Sequence, residues 1–126
     1  MSYAERHVIA VQTSSGGAAT EYSPVITGRI INVIYTKDGS TPYEDTVDFT
    51  ITLEGTGQNL WTEDNITASE IIAPRQPTHN ASGDASFYIA AGEAVEDYIV
   101  AAKDRVKIVI ANGGDTLDGQ FTIIVE

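Results

Sequence analysis

Val47-Asp48-Phe49-Thr50-Ile51-Thr52-Leu53-Glu54 alternates without a break: each odd position is apolar and each even one is polar or charged. A strand sends successive side chains to opposite faces, so this period of two describes a strand with one buried and one wet face. Phe, Ile, Val and Thr also suit a pleated, half-buried surface.

Further strands are read outward from this one. Arg105 to Ala111 and Gln120 to Glu126 alternate in the same way, separated by Asn112-Gly113-Gly114-Asp115-Thr116-Leu117-Asp118-Gly119. Gly and Asn accept positive φ and Asp closes local turns, so the segment is a loop and the C-terminus is expected to be a hairpin. Val106, Ile108 and Ile110 would then share a buried face with Phe121, Ile123 and Val125. Arg6 to Gln12 alternates weakly and runs into Thr13-Ser14-Ser15-Gly16-Gly17, a turn. Val25 to Lys37 is a longer strand with a bulge or bend expected at Gly28. Asn59 to Thr62 and Ser69 to Ala73 read as short edge strands. Ser86 to Ala91 and Val95 to Ala102 read as a hairpin around Gly92-Glu93. A helix over Ala90 to Val100 is favoured by Ala and Glu, but Gly92 and the Tyr98-Ile99-Val100 end turn the choice to strand.

About eight strands in 126 residues predict an all-β fold, a β-sandwich forming a single domain over 1–126. Eight strands suit a jelly roll; an immunoglobulin-like sandwich is the alternative, and periodicity does not separate the two topologies.

Eighteen acidic residues against seven basic ones give a formal net charge of −11. Nucleic-acid binding relies on Lys and Arg replacing phosphate counterions, so neither a nucleic acid nor an anionic membrane is an expected partner. Cysteine is absent, which removes disulfides and thiolate chemistry. Met1 to His7 has neither the basic stretch nor the apolar core of a signal peptide, so synthesis as a soluble cytoplasmic chain is expected.

Catalytic patterns are not found. His7 and His79 each lack a second histidine at ligand spacing, and His7 alternates with Ile9 and Val11 as a partly buried structural residue would. Ser14-Ser15 lies in a turn without a nucleophile elbow. Glu44-Asp45, Glu63-Asp64 and Glu96-Asp97 are adjacent acids, which a strand would point to opposite faces. Asn112, Asp115 and Asp118 could approach a hard cation but lack the spacing of a calcium loop, and turn chemistry accounts for them. No catalytic residue, cofactor or metal is therefore expected.

Interaction surface is the remaining class. In Val25–Lys37, Ile31, Val33 and Tyr35 fall on one face and Ile26, Ile30 and Ile34 on the other. A strand apolar on both faces is either covered within the domain or covered by a partner. Tyr22, Tyr43, Tyr88 and Trp61 are candidate aromatic anchors. The stretch Ile72 to His79, with Pro74, Arg75 and Pro77, reads as extended chain that its prolines keep from full sheet pairing. It suits a loop or arm laid across another surface.

Three stretches, Ile26-Thr27-Gly28-Arg29-Ile30, Val47 to Thr52, and Arg105 to Val109 with Gly119 to Ile123, give the chain a resemblance to small virion proteins of tailed bacteriophages, those that decorate or cement capsids. What the resemblance implies is a jelly roll or related sandwich. It would bind the outside of the phage head, contact the major capsid protein, and self-associate as a dimer or trimer. The location implied is the capsid exterior, after synthesis in the host cytoplasm. A glycan-binding or tail-fibre recognition module, with Trp61 and the tyrosines stacking on sugar rings, is the alternative.

Overall fold

The computed structural model describes residues 3–89 and 92–126. Among them are ten strands: β1 (Glu5–Gln12), β2 (Ala19–Tyr22), β3 (Ile26–Lys37), β4 (Asp48–Leu53), β5 (Asn59–Glu63), β6 (Glu70–Ile72), β7 (Arg75–Pro77), β8 (Glu96–Asp104), β9 (Val106–Ala111) and β10 (Asp118–Val125). They form two antiparallel sheets. One runs β1-β10-β3-β8-β7, with β6 also paired to β3, and the other runs β2-β9-β4-β5. The chain is an all-β sandwich.

Strands pair from the outside of the sequence inward: β1 with β10, β2 with β9, β3 with β8, and β4 with β5. That nesting is one long hairpin rolled into two layers, which is the order of a jelly roll. In an immunoglobulin sandwich the first two strands share a sheet; here β1 and β2 lie in different sheets. The expected edge strand Ser69 to Ala73 contains β6; the strands not expected are β2 and β7, the latter a three-residue addition in the β5–β8 connection. β2 carries no sequence signal because Ala19-Thr20-Glu21-Tyr22 sits at a sheet edge and buries none of its residues.

Two expectations change in the folded chain. The closing strands are not a hairpin, since β9 belongs to the four-stranded sheet and β10 to the six-stranded one. Their apolar residues do share a core, but they meet across it. The reach of the loop explains this. The Thr13 amide donates to the Leu117 carbonyl at 2.9 Å and the Gly113 amide to the Gly17 carbonyl at 2.9 Å, so the segment crosses between layers. Of the expected strand Ser86 to Ala91, the described residues 86–89 make one isolated pairing, Phe87 with Ala94. Ala90 and Ala91, where that strand and the helix alternative over Ala90–Val100 both fall, lie outside the described residues; Glu96 onward is strand.

The two-faced apolarity of β3 also resolves. Its pairing with β10 runs Ile124 to Asn32 and then jumps, Val125 to Ile30, leaving Ile31 as an extra residue. A bulge of one residue switches which face the following side chains take. Ile26 and Ile30 before it, and Val33 and Tyr35 after it, are all buried. Gly28 accommodates a second irregularity at φ 140°, where a Cβ would come within 2.8 Å of the Glu126 carbonyl oxygen.

Phe49 is the centre of the core. Its ring lies 4.8 Å from Tyr35, 5.0 Å from Phe121, 5.3 Å from Trp61 and 6.1 Å from Tyr43, each edge-on. Edge-to-face pairs match the positive rim of one ring to the negative face of another. Replacing Phe49 by Ala should cost about 3–5 kcal/mol through lost burial and a persistent cavity. The urea midpoint of Phe49→Ala measures it, and a loss under ~1 kcal/mol would show that the sheets close without this ring.

Candidate functional site

Five of the nine residues expected at an interface lie inside the domain. Ile26, Ile30, Tyr43 and Trp61 are no more than 5% exposed, and Pro74 is buried. The reasons are local. The bulge at Ile31 turns Ile26 and Ile30 inward. Gly119 leaves room for the Tyr43 ring, since a Cβ there would fall 2.4 Å from Cε2, and the Tyr43 hydroxyl donates to the Val11 carbonyl at 2.6 Å. Burial first, and the charges near it second, push the Tyr43 phenol above its ordinary value. The Trp61 indole packs on Phe49 and donates to Glu63 Oε1 at 3.2 Å. Trp61 thus offers no free face for stacking.

The other four reach solvent in different places. Tyr22 ends β2, with the Arg105 guanidinium 4.2 Å above its ring, and Arg105 makes a two-pronged ion pair with Glu54. Ile34 is half-buried on the outer face of the six-stranded sheet. Arg75 stacks 4.2 Å over Tyr98, whose ring also carries Arg29 at 4.8 Å. Pro77 is exposed at the end of β7.

Two surfaces emerge. The first is the outer face of the six-stranded sheet. Pairing register aligns Val8, Thr122, Ile34 and Ile71 in one row across β1, β10, β3 and β6. Val8 is 52% and Ile71 69% exposed. Adjacent rows hold Ala10, Gln120 and Thr36 on one side and Arg6, Ile124 and Asn32 on the other. Beyond the Ala10 row the face ends in an open notch of about 500 Å³.

The second is an arm between β7 and β8. Backbone hydrogen bonds join Thr78 to Val95, Asn80 to Asp84, and Tyr88 to Glu93. Among the described residues, each hydrogen bond made from 79 to 94 stays within 78–95. Its tip presents Phe87, Tyr88 and Ile89 at 51, 72 and 70% exposure. Tyr88 is among the aromatic anchors the sequence offers; Phe87 and Ile89 are not, although the signal is there. Three consecutive large apolar residues have no period, and a strand cannot turn all of them to one core.

Chemistry-bearing residues are dispersed. Among the described residues no three of His, Asp and Glu gather as a metal site would require. The loop side chains have other partners: the Asn112 amide nitrogen donates to Asp48, Asp115 accepts from Thr116, and Asp118 accepts from Gln12 and Thr41. His7 is half-buried, its Nε2 3.4 Å from Glu5. Ser14 holds the 13–18 turn through its backbone.

No family model matches the chain, and no curated protein matches it. A solved structure, the crystal structure of FLHE, aligns over 99% of each chain with 10% identity and a TM-score of 0.46. At that distance the likeness carries no argument about this chain.

One acidic pair is under strain. Glu70 lies on β6 opposite the inward Tyr35, and its Oε2 is shielded from solvent without a hydrogen-bond partner. Burial first, then the charge of Glu63 and a hydrogen bond to Glu63 that the protonated acid makes, raise the Glu70 carboxyl above its ordinary value. A carboxyl with a raised folded-state pKa stabilises the fold when protonated, and that contribution is lost as pH rises through the folded value. At neutral pH the ionised pair is therefore a cost. Glu70→Gln should raise the urea midpoint at pH 7, and its advantage should shrink as pH falls into the acid range. An advantage independent of pH would show that charge is not the cause.

Proposed function

We propose that this chain is a structural virion protein, a decoration or cement protein that attaches to the outer surface of a phage head and stabilises contacts between major capsid subunits. The observation that carries the reading is the arm. A sandwich closed by its own aromatic core extends a segment, 78–95, in which the hydrogen bonds of the described residues are internal and in which Phe87, Tyr88 and Ile89 are exposed. Consecutive exposed apolar residues on a supported arm suit insertion into a partner surface, because their burial is a gain only realised on docking.

The sequence resemblance to capsid decoration proteins points the same way. So does the charge of −11, which suits an outward location away from packaged nucleic acid. A long charged surface also keeps copies soluble before they meet the shell. In this reading the sandwich supplies rigidity and the exposed segments supply attachment.

Purified protein mixed with heads assembled without it should bind saturably, at a fixed number of copies per capsid subunit, and should raise the temperature at which the heads rupture. Phe87→Ser with Ile89→Ser should weaken that binding at least tenfold while leaving the thermal midpoint of the free protein unchanged, as loss of two buried anchors implies. Heads that take up no protein at saturating concentration would overturn the assignment.

A further inference from the structure

Among the described residues, edge positions are held by β1, β6 and β7 in one sheet and by β2 and β5 in the other. The edges are unequal. β2 has four residues and β5 five, each with a glutamate that nothing in the strand balances, Glu21 and Glu63. β6 and β7 have three each, and β7 ends in Pro77. Short length, charge and proline all discourage the addition of another strand. β1 has none of these guards. Its eight residues pair with β10 at eight consecutive positions without a shift, and Glu5 and Arg6 cancel in charge. The Thr13 amide donates to the Leu117 carbonyl, one step beyond the Gln12–Asp118 pair. Backbone groups alternate in direction along a strand, so the odd residues of β1 turn theirs towards β10 and the even ones turn theirs outward. Those even residues, Arg6, Val8, Ala10 and Gln12, are all exposed.

We propose that this edge is a dimer interface, in which the β1 strands of two copies pair antiparallel about a two-fold axis at Val8 and join two six-stranded sheets into one. Such a pairing requires register and face to agree, and about this axis they do. Arg6 of one copy meets Ala10 of the other, and Val8 meets Val8. Each of these pairs exchanges two backbone hydrogen bonds, using the groups that β1 turns outward. On the inner row His7 meets Ile9 and Glu5 meets Val11, so no charge lies opposite its like. The two Arg6 side chains stand four positions apart along the strands, roughly 14 Å at ~3.4 Å per residue. That exceeds the ~8 Å screening length of physiological salt. Val8, 52% exposed in the single chain, gains its own copy as an apolar neighbour. This self-complementarity identifies the occupant as a second copy, and charge selects the edge. Two chains of −11 repel, and β1 is the long edge that adds no net charge to that repulsion. Pairing about a two-fold axis through β2 or β5 would instead bring Glu21 or Glu63 of both copies to the contact. The contact uses one patch on both partners, so it closes at two. An eight-residue ladder is a small interface, which makes the dimer weak and reversible.

Sedimentation velocity on the full chain tests the pairing. Wild type should show a reversible monomer–dimer equilibrium in the micromolar to millimolar range, with no larger species. Added salt should strengthen it, because the copies carry like net charge and no ion pair spans the contact. Val8→Lys sets two ammonium groups opposite one another at the axis and should weaken the dimer roughly tenfold or more. Position 8 is exposed, so the thermal midpoint of that variant's monomer should match the wild type. Ala10→Pro removes an outward amide and should weaken the dimer as well. The chain has no cysteine, so Val8→Cys puts its only thiol at the axis. A short bismaleimide should join Val8→Cys into a covalent dimer. Ile71→Cys, on β6 and 69% exposed, should stay monomeric under the same treatment. A wild type that is still monomeric at millimolar concentration would overturn the proposal. So would Val8→Lys dimerising as wild type does, or equal cross-linking from the two thiols. The contact lies between copies of this chain, so none of these outcomes depends on whether heads take the protein up.

Discussion

The edge-on contact of Phe49 with its four aromatic neighbours is the interaction on which the rest depends. Phe49 and Trp61 come from the four-stranded sheet, Tyr35 and Phe121 from the six-stranded one, and Tyr43 from the connection between β3 and β4. Two sheets pack at a separation set by the side chains between them, so this cluster holds both layers and the crossing loop at once. Its demands spread outward. The Tyr43 ring needs a residue without a side chain at Gly119, and its hydroxyl ties the end of β1 through Val11. The bulge at Ile31 is what delivers Tyr35 to the core face.

The connections at that end of the sandwich are latched by polar side chains. Thr13 is buried, its hydroxyl donating to the Gly114 carbonyl at 2.7 Å and accepting from the Leu117 amide at 2.9 Å. Such bonds satisfy the buried Thr13 hydroxyl and fix the crossings between layers. By contrast, among the described residues the hydrogen bonds of the β7–β8 connection stay within 78–95. Stability and binding surface are therefore separated: the closed end is rigid, and the arm at the sheet edge is left to contact something else.

The regular half of this architecture was legible from alternation alone. Val47–Leu53 and Val106–Ile110 bury the residues their period assigns. Alternation failed where a single extra residue changed parity, as at Ile31, and where a strand had no buried face to announce it, as in β2. Pairing partners were harder still. Asn112 to Leu117 has the composition of a hairpin turn, yet it spans two layers, because glycine and aspartate describe how a chain bends and not which strand it returns to. Aromatic side chains misled for a related reason. Trp61 and Tyr43 have the character of interface anchors, but whether an aromatic residue faces a partner or the core depends on what closes over it, here Phe49 and Gly119.

The sequence by itself determined the class of fold, the charge balance and the absence of thiol chemistry, since these follow from period and composition. Only the tertiary structure decided the nested strand order, which apolar residues remained in solvent, and that Phe87 to Ile89 and the Val8–Ile34–Ile71 row are separate exposed surfaces. The physical reason is range. Alternation and turn chemistry act over a few residues, whereas the β1–β10 pairing, the aromatic cluster and the stacking of Arg29 and Arg75 on Tyr98 join positions tens to more than a hundred residues apart.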